Sequence, residues 1–308
     1  MNINLGTFSI LPVPTGPAGA AAVDPHDAAL IYLGGSEGLF RSADGGATWT
    51  RLSPDLRYPH VLLVDPFDSS QLYAARRDLT SFLPLPGVFR STNGGVTWEK
   101  RTTGLGTERI FALAVDPHRQ GMLYAGSWAG RVYKSVDGGD TWFLAASEPV
   151  RATPRDAAGT VGQLLISPVD GALYAVEAYG GTFKSTDGGA TWQQVNTDGG
   201  WLAIDPQHGT LYLAGRRLQC SDNGGRTWID ISSNLPYNPQ TGVYATYWVG
   251  VVPEPLVLYT RYHRSMDGGV SWEQLETPAN FVPRLLVLGP VPTLYGSING
   301  QTGRYQAR

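Results

Sequence analysis

The sequence predicts an all-β protein, built as a single seven-bladed β-propeller of four-stranded blades. Three observations predict this fold. An eight-residue phrase is written six times, a shorter phrase that ends in Tyr is written seven times, and the N-terminal segment matches the one strand that the repeats leave missing. Repeats with a period of a few tens of residues and strand-like units are typical of propeller blades.

The longer phrase is Ser-x-Asp/Asn-Gly-Gly-x-Thr/Ser-Trp, and each copy is predicted to be a hairpin turn that we call a box turn. Gly-Gly supplies positive φ without steric cost, and a short Asp or Asn side chain can accept hydrogen bonds from nearby backbone N–H groups. Because Asn replaces Asp in two copies, this residue is interpreted as a turn acceptor and not as an acid or a metal ligand. The copies occupy residues 42–49, 91–98, 135–142, 185–192, 221–228 and 265–272, and their turn acceptors are Asp44, Asn93, Asp137, Asp187, Asn223 and Asp267.

The shorter phrase is an aliphatic residue followed by Tyr, and it recurs about every 44 residues between Tyr32 and Tyr295. An Asp-Pro pair or a variant of it stands ahead of each copy. One unit therefore consists of strand A, the Asp-Pro turn, strand B with its Tyr, a loop, strand C, the box turn and strand D. This length and strand number suit a four-stranded blade.

The count of seven Tyr phrases against six box turns is explained by closure of the ring. The C-terminal segment 303–307 aligns with strand C and stops before any box turn, whereas Gly6-Thr7-Phe8 resembles the start of every strand D. Residues 5–11 are therefore predicted to be the outer strand of the seventh blade. On this interpretation residues 1–308 form one propeller domain, closed so that only short, protected sheet edges remain.

Composition and motifs argue against several classes of function. The formal net charge is −3 and no basic run occurs, so nucleic acid is not expected as a partner. The sequence contains no run of 18 apolar residues, so no transmembrane segment is predicted. The five His residues show no metal-ligand spacing and no Gly-rich phosphate loop precedes a helix, so neither a metal nor a cofactor is expected. The first twenty residues lack the pattern of a signal peptide, which is consistent with a cytoplasmic location, or with export if a signal has been removed.

One face of the propeller is predicted to carry the function. The Asp-Pro and box turns share one face, here called the box face, and are short and uniform. The opposite face, here called the loop face, holds three insertions at residues 76–86, 146–163 and 232–247. Loops on a rigid scaffold are where binding residues concentrate.

Arg and aromatic residues, which are enriched in binding surfaces, gather on this loop face. Trp201 and Trp248 open inner strands, so packing between blades is their alternative role. The candidate ligand or partner contacts are Arg76, Arg77, Arg109, Trp128, Arg151, Arg155, Tyr179, Trp201, Tyr247, Trp248 and Arg261. A glycosidase would also need two carboxylates across the scissile bond, and Asp156 and Glu177 are the alternative candidates for that chemistry.

The box turns resemble the Asp-box, or BNR, repeat of sialidases, xyloglucanase-type glycosidases, the sortilin ectodomain and the photosystem II stability/assembly factor family. The resemblance covers essentially the whole chain. Sialidases are six-bladed, and xyloglucanase-type enzymes place their substrate cleft between two tandem seven-bladed propellers. The assembly factor family is most similar in size and blade number, and its resemblance implies a single propeller that binds through an Arg-rich patch.

Three hypotheses of function follow. The first is a non-catalytic binding scaffold that presents the Arg- and aromatic-rich loop face to a protein segment or an anionic ligand. The second is a carbohydrate-active protein, either a glycoside hydrolase or a sialidase-like lectin, with its pocket at the same face. The third is a structural subunit of a larger assembly. The protein is expected to be a monomer or part of a hetero-assembly.

Overall fold

The computed structural model shows seven four-stranded antiparallel sheets arranged in a ring, as predicted. It describes residues 6–11, 19–76, 87–146, 160–177, 180–238, 243–244, 248–278, 280–287, 292–299 and 301–307, apart from the side chains of 6, 7, 238, 243, 284, 285, 287 and 307. Within these ranges all regular elements are strands, and none is a helix of the length and apolarity needed to cross a bilayer.

Blades 1 to 6 each run from an inner to an outer strand in chain order. Blade 1 comprises β2 (Ala20–Val23), β3 (Ile31–Gly35), β4 (Gly38–Ser42) and β5 (Thr50–Ser53). Blade 2 comprises β6 (Pro59–Val64), β7 (Leu72–Arg76), β8 (Gly87–Ser91) and β9 (Glu99–Lys100). Blade 3 comprises β10 (Ile110–Val115), β11 (Leu123–Ser127), β12 (Val132–Ser135) and β13 (Phe143–Leu144). Blade 4 comprises β14 (Val161–Ile166), β15 (Leu173–Glu177), β16 (Gly181–Ser185) and β17 (Gln193–Asn196).

The second half of the ring follows the same plan with one addition. Blade 5 comprises β18 (Trp201–Ile204), β19 (Leu211–Ala214), β20 (Leu218–Ser221) and β21 (Ile229–Asp230), and a separate hairpin of β22 (Tyr237–Asn238) and β23 (Val243–Tyr244) follows it. Blade 6 comprises β24 (Val249–Val252), β25 (Val257–Thr260), β26 (His263–Ser265) and β27 (Glu273–Gln274). Blade 7 comprises β28 (Val282–Val287), β29 (Thr293–Ile298), β30 (Gln301–Ala307) and the N-terminal β1 (Gly6–Ile10).

The N-terminal strand closes the ring. β1 pairs antiparallel with β30 in the register Gly6–Ala307 to Ile10–Gly303. The prediction that the N-terminus supplies the outer strand of the seventh blade is therefore confirmed. Inner strands of successive blades contact one another around the ring, including β2 with β28, so the apolar core lies between the blades.

Each box turn is held by its own side chains. In the first copy, Ser42 Oγ accepts from Gly46 N at 2.8 Å and donates to Asp44 Oδ1 at 2.7 Å, while both carboxylate oxygens of Asp44 accept from Thr48 N at 2.8 and 3.0 Å. The hydrogen bond from the Thr48 side chain is the main reason why the pKa of Asp44 falls to about 2. In the second copy, Asn93 makes the equivalent backbone contact, accepting from Thr97 N at 2.9 Å. These bonds support the interpretation of the box acid as a turn acceptor.

The Tyr of strand B and the base of strand C reach the box turn of the next blade. Across the ring closure, Tyr295 Oη donates to Gly45 O at 2.9 Å and Arg304 Nη1 donates to Gly46 O at 3.3 Å. Between blades 2 and 3, Arg90 Nη1 donates to Gly138 O at 2.9 Å. The Tyr phrase and the box turn of the sequence thus meet in one contact between blades.

Candidate functional site

Four inner strands begin with a β-bulge at the loop face. The register shifts lie between Pro59 and Val61, Ile110 and Ala112, Val161 and Gln163, and Pro283 and Leu285. A bulge leaves one residue unpaired and redirects its side chain, and bulges are over-represented next to functional sites. The extra residues are His60, Phe111, Gly162 and Arg284.

The bulges of blades 2 and 3 bring three rings together. The ring centroids of His60 and Phe111 are 5.7 Å apart, and those of Phe111 and Trp128 are 5.3 Å apart with an interplanar angle of 47°. We call His60, Phe111 and Trp128 the Trp128 platform. His60 and Phe111 are half-buried, whereas Trp128 is 46% exposed. A large apolar ring is therefore open to solvent at the loop face.

The turn that carries Trp128 is fixed from two sides. Trp128 N donates to Arg109 O at 2.9 Å, and the carbonyl of Trp128 accepts from Thr160 Oγ1 at 3.4 Å. Ser127 N donates to Arg131 O at 2.9 Å, which closes the turn itself. These bonds hold the backbone so that little conformational entropy remains to be lost when a ligand contacts the ring.

An ion pair supports this turn from the side. Arg131 Nη1 lies 2.9 Å from Glu108 Oε1, and this hydrogen bond raises the pKa of Arg131. Arg109, next to Glu108, is exposed. The structure therefore brings two of the predicted contacts, Arg109 and Trp128, to one patch of the surface.

Two other predicted arginines bind parts of the protein itself. Arg76 is only 4% exposed, its guanidinium lies 5.0 Å from the centroid of the Phe89 ring, and its Nη1 donates to Asp55 O at 3.3 Å. Arg261 Nε donates to Phe281 O at 2.8 Å, and its guanidinium lies 4.8 Å from the Tyr262 ring. Both side chains tie a B–C loop to the neighbouring D–A loop.

The two tryptophans that open inner strands pack between blades. Trp248 is buried in a cluster with Tyr259 and Phe281, and Trp201 lies half-buried against the same cluster. A Cβ at Gly250 would meet the Trp248 ring at 2.4 Å, so the glycine makes room for the indole. These positions fit the alternative role considered for the two residues from the sequence.

The carboxylate of Glu177 is enclosed at the end of β15. The residue is 0% exposed, and a Cβ at Gly180 would lie 1.8 Å from Glu177 Oε2. The other alternative acid, Asp156, lies outside the described residues, as do Arg77, Arg151, Arg155, Tyr179 and Tyr247. Within the described ranges, no group of three His, Cys, Asp or Glu side chains is placed to hold a metal ion.

An apolar cavity of about 320 Å³ lies at the box-face end of the ring of inner strands. Its walls come from the inner strands of blades 1 to 3, and Pro25, Pro66 and Pro117 of the Asp-Pro turns line its rim. Binding pockets combine apolar walls with a few placed polar groups, and these walls consist of Ala, Val, Leu and Pro. The Trp128 platform, with its neighbouring arginine, is the better candidate site.

Comparison with known proteins agrees with this architecture. No family model matches the chain. An oligoxyloglucan-reducing end-specific xyloglucanase of Emericella nidulans is 25% identical over 296 residues, which cover 84% of this chain and 35% of that protein. A xyloglucanase of a Paenibacillus species is 25% identical over 261 residues, which cover 76% of this chain and 23% of that protein. The chain thus spans about a third or less of the length of these curated relatives.

Two solved structures share the fold. The GH74 xyloglucanase of Xanthomonas campestris superposes with a TM-score of 0.70 at 21% identity, over 94% of this chain and 52% of that one. YCF48 bound to D1 peptide superposes with a TM-score of 0.69 at 18% identity, over 100% of this chain and 99% of that one. The chain is a seven-bladed β-propeller like those of GH74 xyloglucanases and YCF48. At these identities the structural likeness establishes the fold alone.

Sequence reasoning missed the two inner members of the platform. His60 is isolated from other His residues in the sequence, and Phe111 is one of several apolar residues at the start of its inner strand. Aligning the seven inner strands would have shown an aromatic ring at the same early position in blades 2 and 3. That alignment is the signal that could have found them.

Proposed function

We propose that this propeller binds a β-linked glucan of the xyloglucan type through the Trp128 platform. The observation that carries the proposal is that Trp128 is nearly half exposed although its turn is fixed by hydrogen bonds on both sides. A fixed aromatic face offers a large apolar contact without an ordering cost. The C–H face of a pyranose ring is a suitable partner for such a surface.

An exposed arginine whose backbone bonds to the Trp128 turn supports the same ligand class. The exposed guanidinium of Arg109 has donors for sugar hydroxyls, since arginine carries five N–H groups in a fixed fork. Aromatic walls with a few placed polar groups are the usual composition of small-ligand sites. Both curated relatives are xyloglucanases by name, and their similarity extends over most of this chain. We therefore prefer the hypothesis of a carbohydrate-binding protein to that of a protein-binding scaffold.

The proposal concerns binding and assigns no catalytic residue. Glu177 is enclosed behind Gly180, so it is not placed as a group that touches substrate. Release of reducing ends from xyloglucan, abolished by Glu177→Gln with binding intact, would extend the function to hydrolysis.

The test is the affinity of the protein for soluble xyloglucan, measured by isothermal titration calorimetry. Trp128→Ala is expected to weaken binding by about 10- to 100-fold, the effect of losing an interface anchor worth about 1.4 to 2.8 kcal/mol. Phe143→Ala is the matched control, because Phe143 is an aromatic residue of the same blade that is 57% exposed on the outer strand. Equal affinities of Trp128→Ala and the wild type would overturn the proposal.

A peptide ligand is the second candidate. The similarity to YCF48 extends over the full length of both chains, and that protein is seen with a D1 peptide. The exposed Arg109 would suit a carboxylate of such a peptide. Capture of an acidic peptide that Arg109→Ala weakens, combined with no affinity for xyloglucan, would favour this second function.

A further inference from the structure

The insertion between blades 5 and 6 contains a hairpin of β22 and β23, which the D–A connection places on the loop face, as the B–C turn of blade 3 does Trp128. β22 and β23 pair with Tyr237 opposite Tyr244, and their ring centroids lie 5.0 Å apart at an angle of 51°. Tyr237 is 53% exposed, whereas Tyr244 is half-buried against the core between blades 5 and 6. The exposed ring of Tyr237 is therefore supported by the half-buried ring of Tyr244.

The base of this hairpin is anchored to the propeller. Tyr244 N donates to Arg216 O at 3.1 Å, and Leu235 is buried in the core of the same two blades. Asn234 Nδ2 donates to Val270 O at 2.9 Å in the box turn of blade 6. Tyr237 is consequently presented on a fixed base, as Trp128 is.

The insertion at residues 232–247 differs from the other two insertions in its charge. Residues 231–253 contain no Asp, Glu, Lys or Arg, whereas segments 76–86 and 146–163 contain both acids and arginines. The segment between residues 232 and 247 is instead rich in Ser, Asn, Thr and Tyr. A composition of hydroxyl, amide and aromatic groups is complementary to a neutral polyhydroxyl ligand and offers no opposite charge to a charged peptide.

We propose that Tyr237, supported by Tyr244, is a second sugar-contact site, so that the protein binds an extended polysaccharide chain. This inference rests on the proposed function. Trp128 follows β11 of blade 3, and the hairpin stands between blades 5 and 6, more than two blades farther round the ring. On this proposal a short oligosaccharide seated on Trp128 occupies one site, whereas a polymer that crosses the face contacts both. The gain in affinity from oligomer to polymer is then an effective-concentration effect.

The experiment compares cellotetraose with soluble xyloglucan by isothermal titration calorimetry. Tyr237→Ala is expected to weaken polymer binding about fivefold to tenfold and to leave cellotetraose binding unchanged. Trp128→Ala is expected to weaken the binding of both ligands. Tyr237→Phe keeps the ring and is expected to retain most of the polymer affinity, and Phe143→Ala again serves as the exposed-aromatic control.

The outcomes separate the two proposals. If Trp128→Ala weakens both ligands while Tyr237→Ala matches the wild type on polymer, the second site is wrong and the proposed function stands. If the wild type binds neither ligand, both proposals fail. If Tyr237→Ala reduces capture of a protein partner and not of polysaccharide, the hairpin is a protein-binding element and the inference is overturned.

Discussion

A single methyl group added at the ring closure should destabilise the propeller more than the same group one residue away. Gly45 and Gly46 both have positive φ, at 66° and 85°. A Cβ at Gly45 would have no neighbour within 4 Å, whereas a Cβ at Gly46 would lie 2.4 Å from Tyr295 Oη. Gly45→Ala and Gly46→Ala are therefore a matched pair that differ in the contact with blade 7.

The expected magnitudes follow from these contacts. An L-residue with positive φ costs about 1–2 kcal/mol, and both variants carry this strain. In Gly46→Ala, Tyr295 must also move, although it is buried and donates to Gly45 O at 2.9 Å. Losing that hydrogen bond and leaving a buried hydroxyl without its partner adds about 1–3 kcal/mol. Gly46→Ala should thus be about 1–3 kcal/mol less stable than Gly45→Ala.

The assay is equilibrium unfolding of both variants in guanidinium chloride, repeated in a Tyr295→Phe background. Removing the hydroxyl removes the closest contact, so the excess cost of Gly46→Ala should shrink in that background, as in a double-mutant cycle. Equal stabilities of the two alanine variants would refute the reasoning. An excess that persists with Phe at position 295 would show that the hydroxyl contact is not its cause.

Three further predictions concern the remaining polar groups of the frame. The pKa values of Asp44, Asp187 and Asp267 are lowered to about 2, so the stability that these ionised acids contribute should be lost as pH falls from about 4 towards 2, and the triple Asn variant should show a flatter stability profile in that window. Burial lowers the pKa of His263, so stability should fall as pH drops below about 6.5, where the unfolded state binds the proton first; His263→Phe should remove this dependence in thermal unfolding. Arg76→Ala should cost about 1–3 kcal/mol in chemical denaturation, since it removes the partner of the Asp55 carbonyl and the contact with Phe89.

The fold could be predicted because its repeated phrases contain both partners of the contacts that hold it. The box glycines and the strand-B Tyr recur at fixed spacing, and Tyr295 with the first box turn shows how they meet. The closure of the ring could also be predicted, since Gly6-Thr7-Phe8 repeats the start of a strand D. Contacts that repeat from blade to blade could therefore be predicted from the regular spacing of the sequence.

The sequence narrows the candidate site only to a face, because the roles of individual side chains depend on contacts between distant segments. Arg76 and Arg109 are both arginines of the loop face, yet Arg76 is buried over Phe89 and Arg109 is exposed. Phe111 reaches Trp128 because a register shift between β10 and β11 frees it from the regular alternation of the strand. A register shift is a property of two paired strands, so local composition does not contain it.

The box face and the loop face differ in which of their polar atoms are engaged in hydrogen bonds. In the first box turn, both carboxylate oxygens of Asp44 and the hydroxyl of Ser42 bond within the turn, and the glycine carbonyls accept hydrogen bonds from the preceding blade. Groups engaged in this way hold the ring rigid and are not available to a ligand. At Trp128 the arrangement is reversed, because hydrogen bonds engage the backbone N–H and C=O and leave the indole face open. A rigid frame with satisfied turns on one face and fixed, exposed aromatic rings on the other supports the proposal that recognition takes place at Trp128 and Tyr237. On this proposal, variants of these two rings should change binding without changing stability.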